Sequence, residues 1–393
     1  MGCAQTGSGK TASYLIPIID KLLVESADPA GGATASPQVV IVTPTRELAD
    51  QIYHEARKFA AGSTLKARLA VGGTSTGFQS RRMLEGCNIL VATTGRLKDF
   101  SEKNLISFER LQFLVLDEAD RMLDQGFMPD IEEVVGNDTM PPKEKRQTLL
   151  YSATFSDEVQ EAAKDFLAQD YLFVSVGMVG ALCSDVNQEF IKVGKDDKRE
   201  KLEEILQKED RDPQERTLIF VETKKSADFL CSNLCQEDLP ATSIHEDRFQ
   251  SQRYEALDDF KTGKKPILVA TSVAARGLDI SGVGCVINYD LPKEGREDEY
   301  VHRIGKFQKT FIFSFVKCFL SGRTGRVGNP GKAISFVDGD YDAELLTKLI
   351  PLCLKAEVPI ADWMNEIAES GGGGGSDAGS GGDGGGGDDD DEW

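Results

Sequence analysis

The feature that most limits what this chain can fold into is a pattern of short, β-branched apolar runs separated by helix-like segments, occurring twice in succession. Val39–Thr43, Ile89–Thr93, Phe113–Leu116, Thr148–Tyr151 and Leu172–Val176 form the first series, with segments such as Arg46–Ala60 and Ile131–Val135 between them. Thr217–Val221, Ile267–Ala270, Cys285–Asn288 and Ala333–Val337 form the second, interleaved with Lys198–Lys208, Lys224–Cys235 and Ser251–Lys261. Strands alternating with helices build a parallel sheet covered by helices on both faces. Two such series in 393 residues predict two α/β domains. Glycines and small residues at Gly177–Asp185 break the periodicity, so the expected domains are 1–178 and 185–369. Residues 370–393 are Gly, Asp and Ser with a terminal Trp393, a composition expected to stay disordered.

The formal charge is −20, and the seven acids of the tail account for part of it; without them the remainder is −13. Overall charge therefore gives little attraction for a polyanion, and any nucleic-acid site has to be a local groove. No apolar run is long enough to span a bilayer, and Met1–Thr11 lacks the layout of a signal peptide. The eight cysteines are scattered without a C-x-x-C pair, which argues against zinc sites and disulfides and for reduced thiols.

Two motifs carry chemistry on their own. Ala4-Gln5-Thr6-Gly7-Ser8-Gly9-Lys10-Thr11 reads as a phosphate-binding loop. Small residues let backbone N–H groups approach phosphates, Lys10 reaches the β and γ phosphates, and the Thr11 hydroxyl can hold Mg²⁺. A helix starting near Thr11 would aim its positive end at the anion. Asp117-Glu118-Ala119-Asp120 follows the run Phe113–Leu116, which puts carboxylates at a strand's C-terminal end. Asp117 is the second candidate Mg²⁺ ligand, and Glu118 is the candidate base that orients and deprotonates water.

With these motifs in place, the sequence resembles the DEAD-box RNA helicases over residues 2–368. Pro44-Thr45-Arg46-Glu47-Leu48, Gly72-Gly73, Thr93–Arg96, Ser152-Ala153-Thr154, Leu218–Thr223, Gln250 with Arg253, and Ala270–Asp279 match further motifs in order. The stretches Tyr171–Val179, Asp185-Val186, Glu222–Leu230, His245–Lys261 and the acidic tail are similar to the Vasa subgroup. The resemblance implies two RecA-like domains that close on ATP, Mg²⁺ and RNA. It implies an RNA-stimulated ATPase that separates short duplexes or remodels ribonucleoprotein. It assigns Pro44, Thr45, Arg46, Gly73, Arg96, Gln250, Arg253 and Thr271 to RNA. It assigns Gly277 and Asp279, with residues 5–11, to the nucleotide. Ser152, Thr154, Asp120 and His302 would couple hydrolysis to strand separation, and Arg323 and Arg326 would reach the γ-phosphate. Backbone-directed contacts would make recognition independent of sequence, and 2′-hydroxyl contacts would favour RNA. The subgroup implies a monomeric cytoplasmic protein of germ cells, in perinuclear granules with granule proteins, and no membrane. An ATP-dependent RNA clamp and an inert fragment are the alternatives.

The sequence also departs from that pattern. An upstream segment that reads adenine in the family has no counterpart before the phosphate loop, so adenine selectivity is in question. Thr94 replaces a usual Pro and Glu246 a usual Gly, and a carboxylate at 246 would repel phosphate. Gly295-Arg296-Glu297 lengthens the approach to the last motif. That motif is split: His302-Arg303-Ile304-Gly305 stands apart from Arg323-Thr324-Gly325-Arg326, with Lys306–Gly322 between them. Codons for Gly305, Lys306 and Phe307 can spell the splice donor GGTAAGT, and Cys318–Gly322 permits a pyrimidine-rich acceptor. The expectation is a retained intron; a genuine loop is the alternative.

Overall fold

The computed structural model describes residues 1–4, 8–26, 28, 32–154, 156–176, 186–208, 215–272, 283–293, 296–304 and 331–371. The segments Gly177–Asp185 and Lys306–Gly322 and the tail from residue 372 lie outside the described residues.

The first sheet contains β1 (Gly2–Ala4), β2 (Val39–Thr43), β3 (Ala67–Ala70), β4 (Ile89–Thr93), β5 (Phe113–Asp117), β6 (Gln147–Ser152) and β7 (Val174–Val176). Their order is β3-β4-β2-β5-β6-β1-β7, and every pairing is parallel. The intervening helices are α1 (Lys10–Val24), α2 (Arg46–Phe59), α3 (Thr76–Leu84), α4 (Thr94–Glu102), α5 (Ala119–Asp124), α6 (Met128–Val135) and α7 (Asp157–Phe166).

The second sheet contains β8 (Asn187–Lys192), β9 (Arg216–Val221), β10 (Ala241–Ile244), β11 (Ile267–Thr271), β12 (Val283–Asn288) and β13 (Lys332–Val337), in the parallel order β10-β11-β9-β12-β13-β8. The helices α8 (Lys198–Leu206), α9 (Lys224–Gln236) and α10 (Gln250–Lys261) connect its strands, and further helices run over Glu297–Ile304, Ala343–Lys355 and Asp362–Gly371.

Central strands are apolar at every position because helices cover both faces. In the first sheet Val40, Val42, Leu90, Ala92, Leu114 and Leu116 enter one core, and Val39, Ile41, Ile89, Val91, Phe113 and Val115 enter the opposite one. The second sheet divides the same way, with Ile219, Val221, Ile267 and Val269 on one side and Leu218, Phe220, Leu268 and Ala270 on the other. All nine expected strands are present. The first helix starts at Lys10, one residue before its expected position.

The strands that periodicity did not reveal are short or polar. β3 carries Arg68, and β8 reads Asn-Gln-Glu-Phe-Ile-Lys at the sheet edge, where a half-exposed strand needs no apolar run. Among the cysteines, Cys3, Cys87, Cys285 and Cys353 are buried, and burial pushes the Cys87 and Cys353 thiols up to about 12. Among the described residues, no helix is long and apolar enough to cross a membrane.

Candidate functional site

In parallel α/β sheets, side chains that leave the C-terminal ends of the strands share one edge. β1 runs into the phosphate loop, and Gly9 takes φ +91, a left-handed turn open to glycine, immediately before α1. Lys10 donates from Nζ to the Ala4 carbonyl at 2.7 Å, so the ammonium folds back over the loop. Ser8 and Gly9 are exposed at this edge. Gln5, Thr6 and Gly7 lie outside the described residues.

At the end of β5, Asp117 is 3% exposed. Its Oδ2 accepts from the fully buried Tyr14 hydroxyl at 2.9 Å, and its Oδ1 accepts from the Glu118 backbone N–H at 3.0 Å. Burial pushes the Asp117 carboxyl up to about 6, against the opposing pull of the Lys10 charge. Burial and the adjacent Asp117 charge hold the Tyr14 phenol well above its ordinary value, so it stays a donor. Thr11 also acts on the Tyr14 phenol, so Thr11 and Asp117 lie beside the same hydroxyl. Two oxygen donors beside a phosphate loop fit Mg²⁺, which is commonly bound through one or two carboxylates together with substrate phosphates.

Glu118 sits at φ 59, ψ 52, a left-handed conformation that a residue with a Cβ rarely adopts. Such strain clusters at functional sites. Arg121 Nε lies 3.4 Å from Glu118 Oε2. Asp120, the last residue of the tetrapeptide, turns toward β6. Its Oδ2 accepts from the Ala153 and Thr154 N–H groups at 3.1 and 3.2 Å and from the Thr154 hydroxyl at 3.3 Å. The fully buried Ser152 accepts from the Thr154 N–H at 3.3 Å. His302, from the second domain, brings Nε2 to 3.7 Å from the same Asp120 Oδ2. One carboxylate therefore joins the Asp117–Asp120 turn, the end of β6 and the facing domain.

A second cluster bridges the domains through α2 and α10. Thr45 caps α2 by accepting from the Leu48 N–H at 3.3 Å, which presents Arg46 and Glu47 in the first turn. The Arg46 guanidinium lies over Gly72 and Gly73, and a Cβ on Gly73 would come 2.4 Å from Arg46 Nη1. Arg46 Nη1 donates to Gln250 Oε1 at 3.2 Å, and Gln250 Nε2 donates to Glu47 Oε1 at 3.1 Å. Arg253 Nη2 pairs with Glu47 Oε2 at 2.9 Å. Gln250 and Arg253, expected to touch RNA, are thus engaged by the first domain: both side chains are buried and turned onto Glu47 and Arg46. Arg96 stays on the first domain, donating to Gln79 Oε1 and to the Thr74 carbonyl, each at 3.4 Å. Pro44 precedes the Thr45 cap. Thr271 ends β11, its hydroxyl 3.3 Å from Glu246 Oε1.

Glu47, Gln79 and Tyr14 contact candidate site residues directly, and the motifs gave them no role. Glu47 was visible only as a letter within a motif, because its partner Arg253 lies far along the chain, in the other domain. Gly277, Asp279, Arg323 and Arg326 lie outside the described residues.

Residues 1–162 match the family model described as DEAD/DEAH box helicase, and residues 197–309 match that of the helicase conserved C-terminal domain. The second match stops a few residues into the run Lys306–Gly322. The chain is 50% identical over 377 residues to mouse "ATP-dependent RNA helicase DDX4", covering 94% of this chain and 50% of that protein. It is 48% identical over 371 residues to Drosophila melanogaster "ATP-dependent RNA helicase vasa", covering 94% and 52%. The chain therefore spans about half the length of the curated relatives it matches. Among solved structures it resembles the DEAD-box helicase Mss116 bound to ssRNA and UDP-BeF, with TM-score 0.75, 30% identity and coverage of 94% and 73%. It also resembles S. cerevisiae Dbp5 bound to RNA and ADP BeF3, with TM-score 0.71, 27% identity and coverage of 94% and 88%.

Proposed function

The chain belongs to the DEAD-box helicase family, and on that premise we propose that it is an ATP-dependent RNA helicase that couples hydrolysis to local strand separation. The observation that carries this reading is the pair of contacts from the two domains onto the edge that holds the phosphate loop: His302 on Asp120, and Arg253 with Gln250 on Glu47. Closure makes both at once, so a ligand that favours closure at one cluster favours it at the other.

The residues divide the work as follows. Lys10 exchanges the Ala4 carbonyl for the β and γ phosphates of ATP. Thr11 and Asp117 would hold Mg²⁺, which would neutralise charge on the phosphates. Glu118 positions water and takes its proton on the carboxylate, with Arg121 fixing the orientation of that side chain. Asp120 transmits the state of this turn to Ser152–Thr154 and to His302. Arg46 and Arg96, set over the turn at Gly73 and Thr74, present cations to the RNA sugar-phosphate backbone. Thr271 contacts the same strand from the second domain.

Similarity to the DDX4 and vasa proteins supports a place in germline RNA regulation, and we further propose that the protein acts as a monomer in the cytoplasm beside granule proteins. Immunofluorescence on gonad sections tests the location; signal confined to somatic cells counts against it. Activity is tested by duplex unwinding, assayed beside RNA retention with a non-hydrolysable ATP analogue. ATP-dependent strand separation supports the helicase reading. Retention without separation favours the clamp.

A further inference from the structure

The register of the second sheet pairs Ile244 of β10 with Ala270 of β11, so the residues that follow these two strands emerge side by side. On one side stands Thr271, 5% exposed. On the other stands Glu246, exposed, with its carboxylate turned back onto Thr271: the hydroxyl lies 3.3 Å from Oε1 and 3.4 Å from Oε2. The next residue repeats the arrangement. Asp247 pairs with Lys224 at 2.6 Å, where α9 begins, and the Glu246 charge also acts on Lys224. Two groups suited to a phosphate, a hydroxyl donor and a cation at a helix N-terminus, are thus each held by a carboxylate of this chain.

We propose that Glu246 is an internal competitor for the RNA backbone at Thr271, weakening capture of the strand by the second domain and favouring its release. This rests on the RNA-binding reading above. A hydroxyl has one proton, so while Thr271 donates to Glu246 it cannot donate to a phosphate oxygen. A carboxylate left beside that phosphate repels it, and the repulsion is screened by salt because Glu246 is exposed. RNA binding therefore has to displace the side chain.

The test is the affinity of the full chain for a fluorescein-labelled single-stranded RNA, measured by anisotropy with AMP-PNP and Mg²⁺ at low and high salt. Glu246→Gln removes the charge but keeps an acceptor; Glu246→Ala removes both. Glu237→Gln, at the far end of α9, controls for overall charge. Both substitutions at 246 are expected to tighten binding roughly tenfold at low salt, with the gain shrinking as salt rises, while the control is unchanged. Thr271→Val is expected to remove part of the gain seen with Glu246→Ala. Measurable wild-type binding left unchanged or weakened by both substitutions overturns the competitor role while leaving the RNA reading intact. Absence of RNA binding in every variant overturns the RNA reading and this inference with it.

Discussion

Arg253 and Glu47 pair at 2.9 Å across the two domains, with side chains only 10% and 3% exposed. The pair is buried where α2 meets α10, and Gln250 extends it to Arg46. Neither residue contributes to the core of its own domain, so under the proposed mechanism the contact would form and break with domain closure rather than with folding.

Removing one partner of a buried pair leaves an uncompensated charge and costs about 3–5 kcal/mol. Arg253→Ala is therefore expected to lower RNA-stimulated ATP turnover by about a hundredfold or more, by disfavouring closure. The melting temperature should hardly move. A double-mutant cycle with Glu47→Ala should show strong coupling in turnover; additive losses would show that the pair does not act as a unit.

Gly73 is expected to tolerate no side chain. Its φ is +73, and a Cβ would collide with Arg46 Nη1. Gly73→Ala should raise the RNA concentration needed for half-maximal ATPase at least several-fold. Gly77, in the first turn of α3, provides the contrast, because a Cβ added there would meet nothing within 4 Å. Gly77→Ala should leave RNA dependence intact and stabilise the fold by roughly 0.5–1 kcal/mol, read by chemical denaturation.

Glu118→Gln keeps the shape of the turn but removes the proton acceptor. Turnover is expected to fall by about 10²–10⁴-fold. RNA binding in the presence of AMP-PNP should remain, because the residues proposed to face RNA are on other strand ends. Loss of both together would mean that Glu118 holds the fold of the site rather than handling water.

Much of this was legible in the sequence. The central strands announced themselves because burial on both faces demands continuous apolar runs. The phosphate loop and the Asp117–Asp120 turn were legible because their residue types are fixed by chemistry at fixed spacing. Three things were not. β1, β3, β8 and β10 are too short or too polar for a periodic signal. Tyr14 reads as an ordinary apolar-face residue of α1 until the fold brings Asp117 to 2.9 Å from its hydroxyl. The roles of Gln250 and Arg253 depended on Glu47, a partner on the other domain that no local pattern points to.

The run Lys306–Gly322 separates His302–Gly305 from Arg323–Arg326. Deleting those residues is expected to raise RNA-stimulated turnover, since errors of even ~1 Å in placing a catalytic group are costly. Transcript sequencing checks the origin of the segment: a spliced form lacking it is expected, and its absence would favour a genuine loop.

The measurement that bears most directly on the two-domain mechanism is steady-state ATP hydrolysis with and without single-stranded RNA. It is made on the full chain, on the chain lacking Lys306–Gly322, and on Arg253→Ala in the more active of the two. The result expected is RNA-stimulated hydrolysis in at least the deleted form, abolished by Arg253→Ala with the fold intact. Hydrolysis that ignores RNA, or RNA stimulation that survives Arg253→Ala undiminished, would contradict closure of the two domains as the step that joins ATP to RNA.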